Sequence, residues 1–323
     1  MDAFSLPTLV RLAITCRAAY ATVQQYTAYR IKRHLGYFRL DYDHALGVLR
    51  CTESMIVGTF ALACVDPPTG GIYVDNIDFI VPNDRVHEAM KSLTQGTDYE
   101  MCEPQHLPIQ GSGKIIGVVS YRAVYNGKKC FLNFHFGGPG NNEFMLENLF
   151  YSSTTLTMNA VTGWGIFIAY GDLVEYGMGL RNDPTSMRRF HTPTLDKSIA
   201  DFNKDNARQT KLEQQGFKFP TRNGQTHAFH NSVGRCSDSH SCPDAIRSVR
   251  DMGCRFVVLM DNTEARKAEE GWRLKNTLKF LTFQLPETIW RLSNSIEETP
   301  RKAAGTGFAA TIQSREDVNM KRL

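Results

Sequence analysis

The residues of this chain whose types and spacing suit chemistry are Gly58, Thr59, Asp75, Asn76 and Asp78. The apolar run Met55-Ile56-Val57 ends at Gly58-Thr59, and Phe60-Ala61-Leu62 then opens a short helical segment. After a Pro/Gly-rich gap, an apolar strand carries Asp75 and Asp78. A small-residue turn at a helix start, followed by acids on a strand, is an order that brings a phosphate site and a metal site face to face. Backbone N–H groups near Gly58-Thr59 suit a phosphate. Nucleotidyl transfer assisted by two Mg²⁺ ions needs carboxylates that converge on the ions, neutralise phosphate charge and hold the attacking and leaving oxygens.

Strand geometry limits which acids can converge. Only residues i and i+2 share a face, so Ile72, Val74, Asn76, Asp78 and Ile80 point one way. Asp75 points the other way unless a bulge re-aims it. A regular strand therefore offers Asn76 and Asp78, one amide and one acid. On a later strand Asn133 and His135 share a face where a third metal acid would be expected. Glu143 and Asp172 are other acids that could complete a metal set. The competing reading of Asp75 and Asp78 is a strand-end turn with solvated acids.

The elements that position these residues follow from periodicity. Leu6 to Phe38 reads as helical, with Leu9, Leu12, Cys16, Ala19 and Val23 as its apolar stripe and Arg30, Lys32, Arg33 and His34 as a solvated basic end. A helix from Asn83 to Thr94 has Asn83 or Asp84 as N-cap, Val86, Met90 and Leu93 as its buried stripe, and Gly96 as its stop. Ile115 to Tyr125 and Lys128 to Phe136 flank Asn126-Gly127, the dipeptide suited to a type I′ hairpin turn. A helix is expected near Asn142, a strand at Trp164 to Tyr170, and a polar helix from Leu195 to Gln214, buried through Leu195, Ile199, Phe202 and Leu212 and stopped at Gly216. Thr221 to Pro243 reads as a loop, Arg255 to Met260 as a strand and Thr263 to Phe283 as a helix. The polar end of the chain is expected to be disordered.

Totals bound the class. The chain has 323 residues, 42% hydrophobic and 22% charged, enough to bury a sizeable core. A net charge of +4, from 37 basic and 33 acidic residues, points weakly to an anionic partner and does not mark a nucleic-acid binder. The first residues show no basic-then-apolar leader, and the longest mainly apolar stretch, Trp164 to Tyr170, is too short to cross a bilayer. The eight cysteines are scattered, several of them inside apolar runs, which suits reduced thiols and a cytoplasmic or nuclear protein.

The segment from Leu9 to Thr162 resembles a group of fungal, especially mushroom-type, proteins related to the nucleotidyltransferase fold of the DNA polymerase beta superfamily. Val57-Gly58-Thr59-Phe60-Ala61-Leu62 is similar to the superfamily's apolar run, glycine turn and short helix, with Thr59 where Ser is usual. Asn76-Ile77-Asp78-Phe79 is similar to its Asp-x-Asp strand, with Asn76 in place of the first Asp. Phe150 to Asn159 resembles the helical segment that such proteins carry after the hairpin. The resemblance implies an α/β (α+β) fold, a small mixed sheet flanked by helices, with a nucleoside triphosphate at Gly58-Thr59 and Mg²⁺ at the acids. The replaced acid bears on catalysis and leaves the fold untouched. The expected protein is thus a degenerate nucleotidyltransferase that binds a nucleotide, a phosphorylated ligand or a protein with little or no turnover. The alternative is a working Mg²⁺-dependent enzyme using Asp78 and Asp75.

The expected organisation is an N-terminal helical segment (1–50), the α/β domain (51–190), a mainly helical region (191–297) and a tail (298–323). Leu6 to Val23, with Thr15-Cys16-Arg17 inside it, resembles the second half of an F-box, which implies a protein partner at the N-terminal helix and a further alternative as an adaptor. Cys236 and Cys242, with Cys254, His227, His230 and His240, raise a zinc reading, although their spacing matches no common finger. Gly111-Ser-Gly-Lys114 has neither the full spacing of a phosphate loop nor the helix that should follow.

Overall fold

The computed structural model describes residues 5–13, 15–65, 72–102, 117–137, 143–150, 152–181, 207–219, 247–248, 254–259 and 289–290. The N-terminal segment is not one helix. α1 (Leu6–Ala13) and α2 (Arg17–Tyr37) are separated where Cys16 turns extended and its Sγ accepts from Ala19 N at 3.4 Å as an N-cap. The break ends the single apolar stripe. Leu9 and Val23 are buried, whereas Leu12 is 51% exposed and Cys16 faces outward. α2 also corrects the reading of its basic end: Lys32 and Arg33 are exposed, but Arg30 and His34 are buried.

α3 (Tyr42–Cys51) follows, capped by Asp41, and leads into strand β1 (Met55–Val57) and helix α4 (Gly58–Val65). β2 (Asn76–Val81) precedes a 3₁₀ turn at Asn83–Arg85 and α5 (Val86–Thr94). Neither Asn83 nor Asp84 caps this helix; Arg85 is the N-cap of α5 and Pro82 that of the 3₁₀ turn before it, both without a side-chain bond. Leu93 and Ala89 are buried, with Val86 and Met90 packed against the core, and Gly96 has the positive φ of a helix stop. β3 (Glu100–Met101) leads to the hairpin of β4 (Gly117–Tyr125) and β5 (Lys128–Phe136). Its turn has φ of 51° at Asn126 and 75° at Gly127, as a type I′ turn requires.

After α6 (Glu143–Phe150) the chain does not stay helical to Asn159. It makes a single 3₁₀ turn at Thr155–Thr157 and then forms β6 (Asn159–Thr162), β7 (Gly165–Ile168) and the short α7 (Gly171–Glu175). Thr154 and Thr155 bond through their hydroxyls to Leu156 N and Leu180 N, which favours a capped turn over a continued helix. A helical segment covers 207–214, and Gly216 follows it with φ of 94°. β8 (Arg247–Ser248) pairs with β10 (Ile289–Trp290), and β9 (Arg255–Val258) pairs with β7.

Eight strands form one mixed sheet in the order β3-β4-β5-β2-β1-β6-β7-β9. Among the described strands of this sheet, β2 and β5 alone run parallel, and every other pair is antiparallel. The mixed α/β architecture is as expected from the sequence, though the sheet is larger. It also takes in β9, the strand expected at Arg255 to Met260, from a region otherwise expected to be mainly helical.

One face of the sheet (Ile56, Ile77, Phe79, Leu132, Phe134, Val161, Ile166, Val257) packs with α1 to α5 in the main core. Phe79 and Phe134 stack there at 4.9 Å. On the other face a single crosswise row runs Ser120, Asn133, Asp78, Val57, Ala160, Phe167, Phe256. The row is polar as far as β2 and apolar from β1 onward. Its apolar half joins Met55, Ile80, Leu149, Phe150 and Tyr170 in a second core, and its polar half is the candidate site. Among the described residues, no helix is long and apolar enough to cross a membrane.

Candidate functional site

Alternation along β2 buries Ile77, Phe79 and Val81 and turns Asn76 and Asp78 to the second face. The parallel register places Asn133 directly beside Asp78 and His135 beside Ile80. The antiparallel hairpin adds Ser120 beside Asn133. Pairing of β1 with β2 then sets Val57 opposite Asp78, so the turn that follows lies against the carboxylate. Gly58 has φ of 74°, and a Cβ added there would stand 3.2 Å from Asp78 Oδ2. Glycine is required here for its backbone angle and gives the carboxylate room.

Asp78 is the centre of a hydrogen-bonded cluster. Asn76 Nδ2 donates to Oδ2 at 2.7 Å, and Asn133 Nδ2 donates to Oδ1 at 2.8 Å. Ser120 Oγ in turn donates to Asn133 Oδ1 at 2.8 Å, which orients that amide. His135 Nε2 lies 3.3 Å from Asp78 Oδ1 and donates to it in the tautomer protonated there. The Asp78 and His135 side chains are 25% and 24% exposed. Burial alone would raise the Asp78 carboxyl. The His135 bond and charge, the Asn133 amide and the charge of Arg208 outweigh that, and Asp78 titrates below its ordinary value.

Asp75 belongs to a different setting. Its carboxylate is 41% exposed and lies 3.4 Å from Lys211 Nζ. Its backbone carbonyl accepts from Phe131 N at 3.0 Å, which continues the β2–β5 ladder by one residue. Lys211 also stands 5.5 Å from the centre of the Tyr73 ring, and Lys128 approaches the same ring at 5.9 Å. Arg208 and Lys211 lie one turn apart on the 207–214 helix, whose Leu212 enters the main core together with the following Phe217.

The structure thus brings together Gly58, Asn76, Asp78, Asn133 and His135, and it turns Asp75 toward Lys211. Thr59 is half-buried in the first turn of α4. Asp172 is held elsewhere, 3.0 Å from Arg11 and 3.3 Å from Arg255. Glu143 begins α6. Cys236, Cys242, His227, His230, His240 and Gly111 to Lys114 lie outside the described residues, as do Leu195, Ile199, Phe202, the loop from Thr221, the helix from Thr263 and the tail. Cys254 is half-buried, with its Sγ donating to Ala169 O at 3.5 Å.

A pair of divalent ions does not fit this donor set. Mg²⁺ asks for anionic or carbonyl oxygens with free lone pairs, and here N–H donors from three side chains already surround a lone carboxylate. Among the described residues no three His, Cys, Asp or Glu side chains gather closely enough to hold a metal.

Three residues of this region carried no local signal. Ser120 sits on a strand read only as one arm of the hairpin, and Arg208 and Lys211 sit on a helix read as polar. Their i, i+3 spacing showed that the two share a face but not where that face docks. No family model and no curated relative matches this chain.

Proposed function

We propose that this is a protein of nucleotidyltransferase type that has kept the ligand-binding half of its site and lost the metal-dependent half. It binds a nucleotide or another phosphorylated ligand with little or no turnover. The order supports the fold reading: apolar strand, Gly-Thr turn, short helix, polar strand, then a second polar strand parallel to the first. The single observation that carries the functional reading is the saturation of Asp78. Both of its oxygens accept N–H groups, and the second acid, Asp75, is ion-paired with Lys211. For Asp78 to ligate Mg²⁺, charge-assisted bonds would have to be given up, and the one carboxylate leaves the phosphate charge largely uncompensated.

Calorimetry with ATP, GTP, CTP and UTP, each with Mg²⁺ and with EDTA, tests this. Binding of equal strength under the two conditions is expected. Binding that Mg²⁺ strengthens, together with nucleotide transfer abolished by Asp78→Ala, would instead identify a working enzyme.

A further inference from the structure

We propose that protein cations replace the divalent ions here, with Arg208 and Lys211 of the 207–214 helix holding the phosphates of a nucleotide directly. This rests on the functional reading above and names the chemistry by which that site takes its ligand.

Geometry supplies three supports. First, the helix is anchored and not merely nearby, because Leu212 and Phe217 are buried in the main core. An anchored helix presents Lys211 at a fixed position beside Asp75, with Arg208 one turn earlier on the same helix. Second, Lys211 already binds an oxyanion, the Asp75 carboxylate at 3.4 Å, while its side chain stays 43% exposed. A phosphate oxygen can take the place of a half-exposed carboxylate at little cost. Third, charges around the start of β2 favour an anion. Lys211 meets Asp75, Lys128 and Lys211 share the Tyr73 ring, Arg208 lies one turn before Lys211 on the same helix, and the Asp78 charge is spread over bonds to Asn76, Asn133 and His135. In a metal-dependent site the acids are needed to attract cations that then bind phosphate. Here the cations are covalently part of the chain, so Asp75 becomes a competitor of the ligand for Lys211.

This inverts the effect expected of one substitution. Removing the Asp75 charge weakens nucleotide binding at a metal site, because a metal ligand is lost. It strengthens binding at a site built on Lys211, because the competing anion is lost. The experiment is calorimetry of the full chain against ATP in EDTA, with circular dichroism melts of every variant as the folding control. Expected are ATP binding without Mg²⁺, a loss of about tenfold for Arg208→Ala and for Lys211→Ala, and a severalfold gain for Asp75→Asn.

ATP binding that requires Mg²⁺, or that weakens in Asp75→Asn, overturns both this proposal and the functional reading. Metal-free ATP binding unaffected by all three substitutions overturns the proposal and leaves the functional reading standing. No binding of ATP or pyrophosphate under either condition overturns both.

Discussion

His34 lies on the buried side of α2, edge-on to Phe60 at 6.1 Å and to Tyr37 at 5.9 Å. Burial, then the charges of Arg33 and Arg30, lower its pKa from 6.5 to about 4, against a bond to the Ala63 backbone that pulls it upward. The imidazole is therefore neutral in the folded protein at pH 7. Because the folded value is the lower one, the unfolded chain binds the extra proton between pH 6.5 and 4. Stability is complete above pH 6.5 and falls through that window, by on the order of 3 kcal/mol from this group. Urea titrations at pH 7 and pH 5 should show the loss in the wild type and a much smaller one in His34→Gln. Equal losses would assign the acid sensitivity to other groups. Arg30, one turn earlier, has a different task. It donates to Cys64 O at 3.3 Å and Val65 O at 3.0 Å, satisfying the last carbonyls of α4 from inside the core. Two residues of one basic cluster thus serve the core, and the other two serve the surface.

At the scale of elements, the two-residue turn Gly163-Trp164 between β6 and β7 lies directly against α3. Thr162 Oγ1 accepts from Trp164 N at 3.2 Å and Gly165 N at 3.1 Å, and Arg50 stacks over the Trp164 ring at 5.7 Å. A Cβ on Gly163 would collide with the Arg50 side chain and stand 2.6 Å from Arg50 N and 2.8 Å from Leu46 O. Backbone cannot yield there without moving α3. Gly163→Ala should destabilise the fold by about 1–3 kcal/mol, the usual cost of overpacking, read as a lower denaturant midpoint with an unchanged slope. A wild-type midpoint would mean that α3 shifts freely on the hairpin. Turns of this kind matter to the site, because β6 is the strand that supports β1, and β1 delivers Gly58 to Asp78.

At the scale of the whole molecule, β9 closes the far end of the sheet and ties it to both N-terminal helices. Gln24 of α2 donates to Val258 O at 3.0 Å, and Arg255 shares Asp172 with Arg11 of α1. A chain ending at residue 246 would leave the Gly165–Ile168 edge unpaired and take from Ile166 and Phe167 their strand neighbours Val257 and Phe256. An exposed apolar edge strand invites pairing with other chains, so the truncated protein should elute from size exclusion as aggregate where the full chain is monodisperse. A soluble, cooperatively melting truncation would make β9 dispensable. Much of this architecture was legible in the residues. Alternation put Asn76 with Asp78 and Asn133 with His135, Asn126-Gly127 announced its hairpin, and Gly58 announced its turn, because these are contests between neighbours in sequence, decided by sterics and period. The sequence determined as well that β2 offers one carboxylate and one amide to its polar face. It did not announce the break at Cys16, where a thiol cap competes weakly with a long helical pattern, nor β6, whose few residues lie beside a threonine-rich turn. Only the tertiary structure decided that β2 and β5 are neighbours in parallel, that Asp75 meets Lys211, and that the charge of Arg208 reaches Asp78. Those are meetings of residues distant in the chain, selected by which apolar faces bury together, and no local preference encodes them.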